Sequence, residues 1–223
     1  MSKITKQFLY KNVDATVISS DATMKDMEYL VEVGKKYDFS VIVGLQCYTP
    51  WLVEQTKGTD IKVLGAAGMA GVEPTDVKLF MEKRCLEIGC REMESFLNVN
   101  WLKNGQFDDI VKETVAIREN CKDMIYKVIL ETPQLTDAEL YSVCDILCDT
   151  GVDFVKTGTG WWGKTSIHTI DVMSKAVKGR VGMKASGGIR DLETMNTMMD
   201  MGVTRFGMGL SSLLKVIDQA PNE

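Results

Sequence analysis

A chain of 223 residues that is 45% hydrophobic and 26% charged can bury one sizeable core, so a single domain over residues 1–223 is expected. The net charge of -5 comes from interspersed charges without long like-signed runs, which leaves no footprint for nucleic acid or an anionic membrane as partner. No apolar stretch approaches bilayer length and the start MSKITKQFLY lacks a signal-peptide core, so the six cysteines read as reduced thiols of a cytoplasmic protein.

Residues 12–19 (NVDATVIS) read as a first strand, with Asp14 between apolar neighbours. An amphipathic helix follows over 23–37, with Met24, Met27, Leu30 and Val31 on one face. FSVIVGL (39–45) is almost wholly apolar, the pattern of a strand covered on both faces, and Pro50 opens a short helix to Lys57. A strand over 61–68 leads to a helix from Thr75 to Ile88, closed by Gly89. Strands over 91–98 and 125–132 flank a helix over 108–120. Thr136 and Glu139 have capping-box spacing and open a helix that ends at Gly151. Strands over 154–160, 181–187 and 204–209 then alternate with helices over 166–178, 191–201 and 211–218. Strict alternation of apolar strands with helices implies an α/β fold with a parallel sheet. Eight such units in one domain favour a closed (β/α)8 TIM barrel over an open doubly wound sheet.

A barrel interior is normally filled by branched apolar side chains, and its catalytic groups stand at the C-terminal strand ends. Here the strands carry many ionisable groups. Asp14 is on the first strand; Glu94 and Asn98 share a face of the fourth; Lys127 and Glu131 share a face of the fifth. Lys156 and Lys184 fall on the sixth and seventh. Two strand-end lysines either reach solvent or are held together, where burial and like charge disfavour the ammonium and leave a nucleophilic amine near neutral pH. The whole set favours the second reading, because outward strand faces in this fold are also buried, under helices. GTGWWG (158–163) fits G-x-G-x-x-G, but it lies on the sixth unit and two tryptophans crowd the turn, so a dinucleotide site is the weaker reading. Gly187, Gly188, Gly207 and Gly209 leave bare backbone amides where this fold commonly binds phosphate. The fourteen methionines read as core filler, Cys144 and Cys148 as plain thiols, and His168 as a solvated helix residue. With one histidine and no C-x-x-C pair, no metal site is expected.

With these residues placed, the chain resembles the 2-deoxyribose-5-phosphate aldolase family over nearly all its length. The resemblance is carried by FVKTGTG, GMKASGGIR and YKVILET, with weaker support from VDAT and KGTDIKVLG. It implies a class I aldolase, a (β/α)8 barrel that needs no metal or other cofactor and acts on a small phosphorylated sugar or aldehyde. It implies that Lys156 forms the Schiff base and that Lys184 lowers its pKa. Glu94 falls at the family's proton-relay aspartate and Asp14 at its strand-1 aspartate. Gly160, Gly187 and Gly188 fall in phosphate-binding turns, and Gly209, Asn98 and Lys127 are further candidate substrate contacts. The chain departs from the family in Glu94 for aspartate, Gly158 for a serine, GAAGMAG (65–71) for a Gly-Phe-Pro turn, and Gly209 for a serine on the last strand. Two other readings follow: a Schiff-base lyase of the same family for a different or unphosphorylated substrate, and a non-catalytic metabolite-binding barrel. Homo-oligomerisation is left open.

Overall fold

The computed structural model describes residues 4–222. The strands are β1 (Val13–Thr16), β2 (Val41–Val43), β3 (Lys62–Ala67), β4 (Glu92–Phe96), β5 (Ile125–Ile129), β6 (Phe154–Lys156), β7 (Gly182–Ser186) and β8 (Val203–Gly209). They pair in parallel and in chain order, and β8 returns to β1 to close the expected barrel. The surrounding helices are α1 (Lys6–Asn12), α2 (Met24–Tyr37), α3 (Thr49–Gln55), α4 (Thr75–Ile88), α5 (Val99–Lys103), α6 (Phe107–Asn120), α7 (Asp137–Leu147), α8 (Ile167–Val177), α9 (Leu192–Asp200) and α10 (Leu210–Gln219). Eight of them match the periodicity of the sequence. The capping box opens α7 as its spacing requires, with the Thr136 N–H donating to Glu139 Oε2 at 2.8 Å.

Two short helices, α1 and α5, were not expected. The Thr5 hydroxyl caps α1 by accepting the Phe8 N–H at 3.2 Å, and the Phe8 ring packs edge-on to Phe206 at 6.4 Å. The Asn98 side chain caps α5 by accepting the Trp101 N–H at 3.2 Å.

The strands are shorter than the apolar runs that encode them, and this corrects two side-chain placements. β4 ends at Phe96, so Asn98 is a helix cap and not a strand neighbour of Glu94. β5 ends at Ile129, because Glu131 turns left-handed (φ 50°) into a short 3-10 turn around Pro133. Glu131 therefore does not share a strand face with Lys127.

Register decides what fills the barrel. Lys156 pairs with Lys184, and Phe154 with both Lys127 and Gly182. A Cβ at Gly182 would stand 2.4 Å from the Phe154 ring, so the glycine makes room for that ring below the two lysines. On β8 an irregularity between Met183 and Lys184 skips Thr204: Met183 pairs with Val203 and Lys184 with Arg205. This extra residue re-aims the strand so that Arg205, Gly207 and Gly209 share the inward face of Lys184 and Ser186. The opposite face (Val155, Met183, Ala185, Phe206) is buried beneath the helices. Each such Val, Met or Phe stabilises the fold by roughly 1.5–3 kcal/mol. Among the described residues no helix is long and apolar enough to cross a membrane.

Candidate active site

Seven ionisable side chains meet inside the barrel: Asp14, Glu92, Glu94, Lys127, Lys156, Lys184 and Arg205, all buried. Four are cations and three are carboxylates. They form one continuous network. The Lys156 ammonium position lies 2.6 Å from Glu94 Oε2, and Lys184 lies 2.6 Å from Glu94 Oε1, so a single carboxylate bridges the lysine pair. Lys184 also pairs with Asp14. Lys127 bonds to Glu92 and, at 3.1 Å, to Asp14 Oδ2. Arg205 Nε donates to Asp14 Oδ1 at 2.9 Å, and its Nη2 reaches Glu92 Oε2 at 3.0 Å.

The network splits the two lysines electrostatically. Burial pulls the Lys156 amine below its ordinary value; Glu94 opposes the shift and Lys184 adds to it. Burial disfavours the Lys184 ammonium too, but Asp14 and Glu94 outweigh it and hold that amine above its ordinary value. Burial also works against the Glu94 carboxylate, yet Lys156, Lys184 and Lys127 together bring its pKa down to about 2. Asp14, likewise buried, is held well below the usual carboxylate range by Lys127, Lys184 and Arg205. The site thus offers an easily deprotonated amine, a fixed neighbouring cation, and a carboxylate already in contact with the amine. That is the equipment for imine chemistry.

Above the network, a cleft of about 710 Å3 leads from Lys156 across the ends of β7, β8 and β1. Gly187, Gly188 and Gly209 line it, together with Arg190, Ser211 and Ser212. Gly187 and Gly188 have φ values of 98° and 79°, in the left-handed region that favours glycine. Gly160 supports the cleft from behind. Its turn backs onto Gly187, where an added Cβ would lie 3.2 Å from the Gly187 Cα. Gly209 precedes the first turn of α10, and nothing within 4 Å would obstruct a side chain there. Leu210, Ser211 and Ser212 at that helix start line the cleft, and the N-terminus of a helix suits an oxyanion.

Asp14, Glu94, Lys156 and Lys184 come together as expected, and Gly187, Gly188 and Gly209 line the cleft. Lys127 does not contact this space: it is fully buried, locked between Asp14 and Glu92 below the mouth. Asn98 is likewise turned to its helix cap. Sequence reasoning missed Glu92 and Arg205. Glu92 had a signal, the period-2 spacing from Glu94; Arg205 had none, since its inward direction depends on the strand irregularity. In the sequence Trp161 does no more than crowd a turn. In the structure it is half exposed, stacks on Phe96 at 6.4 Å between ring centres, and forms part of the cleft wall. His168 is exposed, as expected, and lies 2.8 Å from Asp137.

Residues 11–219 match the model of the DeoC/LacD family aldolases. A deoxyribose-phosphate aldolase from Mannheimia succiniciproducens is 34% identical over 90% of this chain and 91% of its own length. One from Caldanaerobacter subterraneus is 32% identical over 94% of this chain and 92% of its own. The tetrameric deoxyribose phosphate aldolase from Aeropyrum pernix superposes with a TM-score of 0.87 at 28% identity, covering 96% of this chain and 92% of that one. The chain belongs to the DeoC/LacD family and is a class I aldolase, a lyase built on a (β/α)8 barrel.

Proposed function

We propose that the protein reversibly cleaves 2-deoxyribose 5-phosphate, or a close analogue, to acetaldehyde and glyceraldehyde 3-phosphate through a Schiff base on Lys156. The observation that carries this reading is the Lys156–Glu94–Lys184 bridge at the foot of the cleft. In the cleavage direction neutral Lys156 adds to the aldehyde carbon of the open-chain sugar, and the carbinolamine loses water to give an iminium. The 3-hydroxyl proton leaves, the C2–C3 bond breaks, and its electron pair moves into the enamine. Glyceraldehyde 3-phosphate departs, the enamine carbon is protonated, and water releases acetaldehyde. Glu94 touches the reacting amine and passes protons during dehydration and enamine protonation, with Asp14 holding Lys184 as a fixed cation beside it.

The phosphate end lies over the amides of Gly188 and the start of α10, with Arg190 as the cation lining the cleft. A second reading, an unphosphorylated substrate, is favoured by Gly209, which supplies no hydroxyl there. Two wider inferences belong to the same reading. The relative from Aeropyrum pernix is tetrameric, and exposed Val72, Val77 and Phe80 support homo-oligomer formation here, to be read by light scattering. Six free cysteines support a reducing, cytoplasmic setting.

The reading is tested by borohydride reduction in the presence of acetaldehyde or deoxyribose 5-phosphate, followed by peptide mapping. The expected adduct is on Lys156. Label on Lys184, or on neither lysine, overturns the assignment. Lys156→Arg is expected to be inactive, because a guanidinium stays charged.

A further inference from the structure

Away from the barrel mouth, two thiols meet where α4 ends. Gly89 closes that helix in the left-handed region (φ 109°). Its N–H donates to the Leu86 carbonyl at 3.1 Å, and the Cys90 N–H donates to the Cys85 carbonyl at 3.0 Å. This pair of bonds is a Schellman motif, which turns the side chains of Cys85 and Cys90 toward each other. Helix ends of this kind frequently pack two apolar groups at these positions, and here both are cysteines. The carbonyl-to-amide bond of 3.0 Å keeps the two Cα atoms within about 7 Å, the limit for a disulfide without backbone movement.

The strand beneath makes room for both sulfurs. A Cβ at Gly65 on β3 would stand 2.9 Å from the Cys85 Sγ and 3.3 Å from the Cys90 Sγ, so the glycine leaves open the space that the thiols share. The two thiols are not equivalent. Cys90 is fully buried, and its thiol is hydrogen-bonded to the Cys85 sulfur. Cys85 is half-buried, and its sulfur also accepts the Ala66 N–H. The Cys90 bond holds the Cys85 thiol below its ordinary value; burial and Glu82 oppose this, while the Ala66 N–H and Arg84 assist it. The same bond, together with burial, pushes the Cys90 thiol up. The pair thus has an accessible member that ionises first and a sealed member that supplies a second sulfur.

We propose that Cys85 and Cys90 form a dithiol oxidation site for a small hydroperoxide, with Cys85 as the attacking thiol and Cys90 as the resolving one. The Cys85 thiolate attacks one peroxide oxygen and the O–O bond breaks. The other oxygen leaves as hydroxide and takes up a proton, and Cys85 becomes a sulfenic acid. The Cys90 sulfur then attacks the Cys85 sulfur. The S–O bond breaks, and the oxygen leaves as water with the Cys90 proton. The sulfurs together lose two electrons and the peroxide gains them. A disulfide with one sulfur open to solvent is reducible by small thiols, so the site is reversible. No residue of the aldolase site takes part.

Trypsin cuts after Arg84 and Arg91, so both cysteines fall in one peptide, CLEIGCR. The test treats the folded full chain with an equimolar amount of hydrogen peroxide, blocks the remaining thiols by alkylation and maps the peptides. The expected product is this peptide without alkyl groups and lighter by two hydrogens, returned to the doubly alkylated form by prior treatment with dithiothreitol. It is expected to form about tenfold or more faster than Cys148 is oxidised, since that half-buried thiol is pushed up by burial. Cys90→Ser is expected to stop at a sulfenic acid on Cys85, trapped with dimedone, and Cys85→Ser to leave Cys90 reduced. The wild-type map decides the question by itself if a serine variant does not fold. A peptide that stays doubly alkylated while exposed Cys47 is oxidised overturns the proposal. So does a bridge from either cysteine to another peptide, or a sulfenic acid on Cys90 in place of Cys85.

Discussion

Replacing Lys184 with methionine removes one charge and keeps much of the side chain's volume. The two lysines bond to the two oxygens of one carboxylate, each at 2.6 Å. That geometry holds their nitrogens on the order of 5 Å apart, and at an effective dielectric of about 20 the repulsion is about 3 kcal/mol. Loss of that repulsion stabilises the Lys156 ammonium. It also frees Asp14 and Glu94 from a competing cation, which acts in the same direction. A bias of about 3 kcal/mol corresponds to roughly a hundredfold less neutral amine at neutral pH. The expected outcome is a hundredfold loss of kcat/KM near pH 7 that shrinks steadily as the pH is raised toward the range of a free lysine. The assay is the pH–rate profile of cleavage, with borohydride trapping at each pH to follow imine formation directly. A loss of the same size at every pH would refute the reasoning. Lys184 would then act by positioning Glu94 and not by suppressing the Lys156 charge.

Glu94→Gln is expected to fold and to lose most turnover while Lys156 is still trapped slowly by borohydride; near wild-type cleavage would move the proton shuttle to Asp14. Gly209→Ser places a hydroxyl at the start of α10 where space is open, and a hydrogen bond to a charged group is worth roughly 1.5–3 kcal/mol. It should therefore raise kcat/KM for deoxyribose 5-phosphate about ten- to a hundredfold, with little change for free deoxyribose; equal effects on both sugars would place the phosphate elsewhere. Away from the site, Glu82 on α4 is buried with no hydrogen-bond partner for either oxygen, and burial lifts its carboxyl from 4.5 to about 7 despite Cys121 and Asn120 nearby. The folded state thus favours the protonated form, so this contribution is fully present below about pH 4.5 and is lost as pH rises through about 7. Glu82→Gln is expected to be more stable than wild type above neutral pH by up to about 3 kcal/mol, with the difference vanishing in acid. A pH-independent difference in urea unfolding would contradict this.

The barrel was legible because each unit carries its own punctuation. Gly89 closes α4 in the left-handed region, and Thr136 with Glu139 opens α7, as their residue types require. The inward lysines were legible from the same local logic, since alternation along two short strands puts both on one face. Strand ends were harder to read. YKVILET continues its apolar alternation past Ile129, and only the left-handed Glu131 before Thr132-Pro133 ends the strand. Asn98 and Lys127, expected at the substrate, have a helix end and buried carboxylates as their partners for a related reason. A polar residue on an inward period can serve the substrate, a helix end or another buried charge, and only the three-dimensional partners separate these roles. Arg205 was out of reach, because a one-residue irregularity between β7 and β8 sets its direction.

Counting the buried charges also supports Lys156, and not Lys184, as the proposed nucleophile. Among the seven groups in direct contact four cations face three carboxylates, so full ionisation would leave one buried positive charge without a touching carboxylate of its own. Such a charge costs several kcal/mol, and a lysine escapes that cost by releasing its proton whereas an arginine does not. Arg205, Lys127 and Lys184 each have two or more carboxylates within 4.0 Å. Among the described residues Lys156 has one, Glu94, and shares it with Lys184. Lys156 is therefore the cation that loses least on becoming neutral. It is also the lysine of the three that retains some exposure, with its side chain 11% accessible at the foot of the cleft. The same arrangement assigns work to residues that never meet a substrate. Glu92, Lys127 and Arg205 saturate Asp14 and one another from below, so Asp14 cannot turn upward to hold the Lys156 proton. Removing any one of them should shift the pH dependence of the amine before it alters substrate affinity.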